Sequence, residues 1–256
     1  MTTLVWIGVG TIVAIVLPVS TIYWSGAIFW GSYLTIFVCG LCLIRMNFFC
    51  RAICRGKPGR MKVALTFDDG PDQKATRELL ELLKREGIAA TFFCIGKKVE
   101  ANPEIAKRIV GEGHLLANHS YTHPWYVSVL GGAALRSEME RTQEAIVAAA
   151  GVRPKYFRPP SGMTGPNFPG ALKKTGLTLV GWDVRSLDTV GSAKKTVERI
   201  VRLVGDGSII LLHDGRTTPE RIVEIVGGAV RELKARGFGF ERVDRMIEEG
   251  ESARRL

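Results

Sequence analysis

No acidic residue precedes Asp68, so all 25 aspartates and glutamates of this 256-residue chain lie from there onward. Residues 4–44 carry no charge of either sign. So long an uncharged start is unlike that of an ordinary soluble domain, because a bilayer span needs only about 20 apolar residues. The length predicts two helices, roughly 4–20 and 25–44, turning near Pro18 to Ser25, with Trp6, Trp24 and Trp30 as interface anchors. A cleaved signal peptide fits poorly, since the basic n-region is missing, the apolar stretch is too long and no clear small-residue cleavage site follows. Cysteine is scarce as well. Cys94 is the only one in the main domain, which argues against a disulfide framework. Cys39 and Cys42 fall within the apolar run and read as membrane packing, while Cys50 and Cys54 stand at its edge, where lipidation is chemically open. Repeats and low-complexity stretches are lacking, which excludes a solenoid.

Positive charge is plentiful but uneven. Half of the formal +10 comes from Arg45, Arg51, Arg55, Lys57 and Arg60, directly after the apolar run. No nucleic-acid-binding motif accompanies this cluster, and it reads as a topology signal or a contact with anionic lipid headgroups. The expected organisation is a transmembrane segment over 1–45, a basic linker over 46–60 and one domain over 61–250.

Strand-like and helix-like stretches alternate through that domain. Strands are predicted at 62–67, 89–95, 114–117, 156–158, 177–183, 208–213 and 238–243. Helices are predicted at 74–87, 103–112, 132–150, 166–175, 192–204 and 218–236, with Asn102 as an N-cap and Gly87 and Gly151 as stops. Repeated strand–helix units with apolar strands imply a largely parallel sheet covered by helices, whose chemistry sits at the carboxyl ends of the strands. Polar clusters fall at five such ends: Asp68-Asp69, the His119 region, Arg158, Asp183 to Asp188, and His213. That convergence points to a barrel-like closure.

His119 and His123, four residues apart, can share one metal from a single turn. Adjacent aspartates on a strand face opposite sides, but at a strand-to-loop turn Asp68 and Asp69 can converge with different roles. Two histidines and a carboxylate make a facial metal site with open positions for water and substrate. Arg158 can hold a carboxylate charged, and His213 can serve as an acid. His114 lacks a motif and reads as structural.

With these residues in place, the chain resembles the polysaccharide deacetylase family, the NodB-type carbohydrate esterases, over roughly residues 61–245. Thr-Phe-Asp-Asp-Gly (66–70), His-Ser-x-x-His (119–123), Arg-Pro-Pro (158–160), the stretch Trp182 to Asp188 and Leu-x-His (211–213) occur in the family's order. The resemblance implies a distorted, incomplete (β/α) barrel and removal of N-acetyl groups from an N-acetylglucosamine-containing glycan, peptidoglycan or chitin among the candidates. It implies Asp68 as catalytic base and Asp69, His119 and His123 as ligands of a divalent metal, often zinc. It further implies Arg158 holding Asp68, His213 as general acid with Asp188 as its partner, and Ser161, Leu211 and Pro160 at the substrate. The expected partners are an N-acetylated glycan and membrane lipid, with no nucleic acid. Two residues depart from the pattern: Ser161 stands where the family commonly has an aromatic, and Thr189 where it has tryptophan, so the wall of the sugar groove is altered. A deacylase of O-acetyl esters or of another amide, and an inactive glycan-binding membrane protein, are the alternatives. An enzyme of exported glycan faces outward from the cell membrane, whereas the basic flank favours the cytoplasmic side.

Overall fold

The computed structural model describes residues 19–252. Its central strand, β1 (Lys62–Gly70), shows how the sequence builds the body. Val63, Leu65 and Phe67 pack into the large cluster beneath the helices, while Ala64 enters a separate inner cluster with Phe93, Ala117 and Ile209. The period of two therefore turns Thr66 and Asp68 inward as well. Six further strands complete the main sheet: β2 (Thr91–Cys94), β3 (Leu115–Asn118), β4 (Tyr156–Phe157), β5 (Thr178–Leu179), β6 (Val184–Arg185) and β7 (Ile209–His213). The order is β5-β4-β3-β2-β1-β7-β6, and every pairing is parallel. A last strand, β8 (Gly239–Phe240), pairs with the first two residues of β1.

The helices follow the expected pattern with three changes. The apolar helix α1 (Val19–Cys42) is described below. Next come α2 (Ala75–Glu86), α3 (Gly96–Ala101), α4 (Pro103–Gly111), α5 (Gly132–Ala150), α6 (Phe168–Thr175), α7 (Ala193–Leu203), α8 (Pro219–Ala235) and α9 (Val243–Ser252). Gly87 and Gly151 end α2 and α5 in the left-handed conformation, and Ser192 caps α7 by accepting from the Lys195 N–H. Asn102 stands at the start of α4 but does not cap it, because its side chain donates back to the Lys98 carbonyl of the unanticipated α3. The final helix α9 was also not expected; it brings Val243 and Met246 into the inner cluster. The 177–183 stretch shortens to Thr178–Leu179.

Strands β5 and β6 form the two edges of the sheet and do not pair with each other. The seam between them is crossed by residues 53–56. Ile53 bridges Val180 in parallel, Arg55 bridges Ser208 antiparallel, and the Gly56 N–H donates to the Gly207 carbonyl. This corrects the expected linker over 46–60: part of it is built into the folded body. Ala52 is buried, and Cys50 and Cys54 pack against the cluster holding Ile44, Val127, Phe157 and Phe168. Burial lifts the pKa of both thiols, Cys50 to about 11.

Within α1, Tyr23–Cys42 is long and apolar enough to cross a membrane, and its large side chains are exposed. Residues 19–25, where a turn was expected, are helical, and most of the first predicted span lies outside the described residues. The last turn of α1 does not float free. The Thr164 N–H donates to the Leu41 carbonyl, Ile44 is 5% exposed, and Arg45 reaches the Asp183 carbonyl.

Candidate active site

The carboxyl ends of the parallel strands bring the predicted residues together. Asp68 and Asp69 share one site because β1 slips register between Asp68 and Gly70, and Asp69 sits at φ 72°. This bulge cancels the alternation that would send the two side chains apart. Ser120, His123, Ser161 and Leu187 also hold positive φ at the ends of neighbouring strands. Such strain gathers where backbone position is over-determined by its surroundings.

Asp69 Oδ1 lies 3.0 Å from His123 Nε2 and 3.4 Å from His119 Nε2. One donor atom from each of these residues falls within 4.8 Å of the others. His119 Nδ1 is 2.7 Å from the Arg158 carbonyl, an acceptor that fixes the proton on Nδ1 and leaves Nε2 with its lone pair toward the site. Among the described residues, Asp69 Oδ1 is buried and has no hydrogen-bond partner. A buried, unpartnered carboxylate oxygen facing two imidazole nitrogens fits a divalent cation. Burial works against its charge, but the two histidines outweigh that and hold the Asp69 carboxyl well below the usual range. Its other oxygen meets Arg216 Nε at 2.7 Å.

Asp68 is held differently. Arg158, fully buried, donates through Nη1 to Asp68 Oδ1 at 2.8 Å and to Thr66 Oγ1 at 2.7 Å, and through Nη2 to the Gly181 carbonyl. Its guanidinium lies 4.1 Å from the Phe93 ring centroid. Asp68 Oδ2 remains on the pocket side, 3.8 Å from His119 Nε2. Across the pocket, His213 Nδ1 is 2.9 Å from Asp188 Oδ1, and the His213 N–H donates to Asp188 Oδ2. Ser186 also donates to Asp188, which is fully buried. Burial lowers the His213 pKa, but the hydrogen bond and charge of Asp188, with Asp68 and Asp69 further off, outweigh it and leave His213 above its ordinary value.

Ser161 and Leu211 line the pocket; Pro160 does not. Pro160, expected at the substrate, is buried and opens the turn Pro160–Gly162 that presents Ser161. Leu211 faces the pocket by the parity it shares with Ile209 and His213 along β7. An aromatic wall is present despite Ser161, since Trp182 lines the pocket with its ring against Gly162, where a Cβ would lie 2.2 Å from it. Trp182, Arg185 and Arg216 line the pocket without having been singled out for a role, and Thr66 supports Arg158. Thr66 was legible, two residues before Asp68 on one face of β1; Arg216 carried no local signal. His114 is structural: its Nδ1 accepts from the Ala90 N–H, and burial lowers its pKa to about 4.

The backbone beneath the site is tightly packed. Lys98 Nζ donates to the Asp69 carbonyl, and a Cβ on Gly215 would sit 2.0 Å from that same oxygen. Gly215→Ala must therefore push the Asp69 backbone. It is expected to lower stability by about 1–3 kcal/mol, read from the urea midpoint.

Residues 55–180 match the family described as polysaccharide deacetylase. The chain is 34% identical to a peptidoglycan-N-acetylglucosamine deacetylase of Bacillus cereus, over 75% of this chain and 70% of that one. It is 35% identical to a chitooligosaccharide deacetylase of Bradyrhizobium, over 70% and 88%. It spans about 40% of the length of other, longer peptidoglycan deacetylases. A solved peptidoglycan N-acetylglucosamine deacetylase, in complex with 4-naphthalen-1-yl-N-oxidanyl-benzamide, superposes with a TM-score of 0.72 at 32% identity, covering 76% of this chain and 92% of that one. The incomplete parallel barrel, the order of the motifs and these likenesses agree: the chain belongs to the polysaccharide deacetylase family of hydrolases.

Proposed function

We propose that this protein is a metal-dependent deacetylase that hydrolyses the acetamide of an N-acetylglucosamine-containing glycan while held to the cell membrane by α1. The observation that carries the reading is the division of labour between adjacent carboxylates: Asp69 faces two imidazoles, whereas Asp68 is held by Arg158 with one oxygen left toward the pocket. A divalent cation, zinc by the family resemblance, held by Asp69, His119 and His123 supplies polarisation of the acetyl carbonyl and acidification of water. Asp68 takes the proton of the attacking water as its oxygen bonds to the carbonyl carbon. Ser161, at the pocket wall, offers its backbone N–H to the developing oxyanion. His213 gives its Nε2 proton to the nitrogen as the carbon–nitrogen bond breaks, releasing acetate and a free amine. Asp188 orients His213, and Leu211 and Trp182 enclose the acetyl group.

The membrane reading rests on the junction after α1. A cleaved leader would be expected to precede the folded body, whereas here Leu41, Ile44, Arg45 and residues 53–56 are bonded into it. We propose a retained anchor, with the domain facing outward toward its glycan.

The test is acetate release from an N-acetylglucosamine oligomer by the full chain in detergent, before and after chelation and with zinc restored. Release that follows the metal supports the reading. Metal-bound protein that releases no acetate sinks it and points to another acyl substrate.

His213 adds a pH signature. Its raised pKa extends the acid form to higher pH, and turnover falls as pH rises through that pKa. Asp188→Asn removes the strongest contributions that raise it. The alkaline limb of kcat against pH is therefore expected to move to lower pH. An unmoved limb would show that the titrating acid is not His213.

A further inference from the structure

Building on that membrane-anchored deacetylase, we infer that the rim of the active site is itself a membrane-surface seat, so that the preferred substrate is an acetylated sugar attached directly to a bilayer lipid. The end of α1 docks on the loop that carries the oxyanion wall. Leu41 accepts from the Thr164 N–H, and Thr164 stands three residues after Ser161, at most about 11 Å of chain. On the metal side, His123 is two residues before Trp125. That loop packs onto the same place: Val127 and Ile44 share one buried cluster, and a Cβ on Gly165 would sit 1.8 Å from the Ser128 carbonyl. Two walls of the pocket thus run directly into the region where the span ends.

What this region shows to solvent is unusual for a soluble surface. Trp125 is 78% and Val129 68% exposed, beside Tyr126. Leu43, Met46 and Phe48, which follow α1, are also exposed. Trp125 and Tyr126 meet edge to face, 5.4 Å between centroids. Exposed Arg51 and Lys57 follow in the chain. Amphipathic aromatics with flanking basic side chains suit the headgroup layer of a bilayer with anionic lipid. Because α1 passes into the bilayer at this point, lipid is the occupant that covers these side chains. The seat holds the pocket at headgroup level instead of presenting it to distant polymer.

The test reconstitutes the full chain in phosphatidylcholine–phosphatidylglycerol vesicles. One N-acetylglucosamine oligomer is offered free, coupled directly to a phospholipid headgroup, or coupled through a long flexible spacer. The directly coupled form is expected to have the highest kcat/KM, roughly 10²-fold above the free oligomer, the order that confinement to one surface supplies. Trp125→Ser with Val129→Ser is expected to remove most of that preference while leaving the free oligomer's rate unchanged. Selectivity for the long-spacer or free form overturns the seat, as does a double variant that loses nothing or loses all three substrates equally. Acetate released from none of the three overturns the deacetylase reading, and the seat with it.

Discussion

Asp68→Asn is expected to lower kcat by about 10²–10⁴ while leaving the metal in place, the span expected when a positioned base is removed. The geometry separates the two neighbouring carboxylates. Both oxygens of Asp69 are committed, one toward His119 and His123 and the other to Arg216. Asp68 gives one oxygen to Arg158 and keeps the other on the pocket side. Asparagine retains an oxygen for Arg158, so the fold should persist, but its amide cannot take a proton from water. His119→Ala is the contrasting variant: it removes a ligand nitrogen and should lower metal content first, with activity following. Metal analysis of each purified variant beside acetate release reads both effects. Wild-type turnover in Asp68→Asn would remove Asp68 from the role of base, and an empty site in that variant would make Asp68 a ligand.

Much of this arrangement was legible in the sequence, because its signals are local. Val63, Leu65 and Phe67 alternate with inward residues, Gly151 closes α5 where expected, and the motifs stand at strand ends whose order a parallel sheet dictates. The failures share a cause in distance along the chain. Ile53 pairs with Val180 and Arg55 with Ser208, so nothing within residues 46–60 announces that they cross the barrel seam. The 177–183 stretch is a poor guide to β5 for a related reason: Val180 is apolar because its side chain fills the inner cluster, while its backbone pairs with the seam segment. Arg216 lies far along the chain from Asp69 and carries no periodicity that would mark it. The convergence of Asp68 and Asp69 was expected at the strand-to-loop turn; the backbone slip at φ 72° is how the structure achieves it. Pro160 is adjacent in sequence to the site but buried in the turn that presents Ser161, a placement that depends on the fold around it.

Arg158→Met is expected to be the most destabilising of these substitutions, by about 3–5 kcal/mol, or roughly 6–20 °C in Tm for a domain of this size. Arg158 is fully buried, and its removal strands three acceptors at once: Asp68 Oδ1, Thr66 Oγ1 and the Gly181 carbonyl. The dominant cost is the carboxylate, which is 4% exposed and would face the interior without its cation. Methionine fills much of the volume over Phe93, so cavity formation contributes less than charge. That reasoning makes a sharper forecast. Adding Asp68→Asn to Arg158→Met removes the uncompensated charge and should restore part of the lost stability, so the double variant is more stable than the sum of the two single losses predicts. Urea denaturation of the four proteins at neutral pH measures the coupling. Strict additivity would show that Arg158 stabilises the barrel through Thr66, Gly181 and Phe93 alone, and that its bond to Asp68 serves only to hold the base in position.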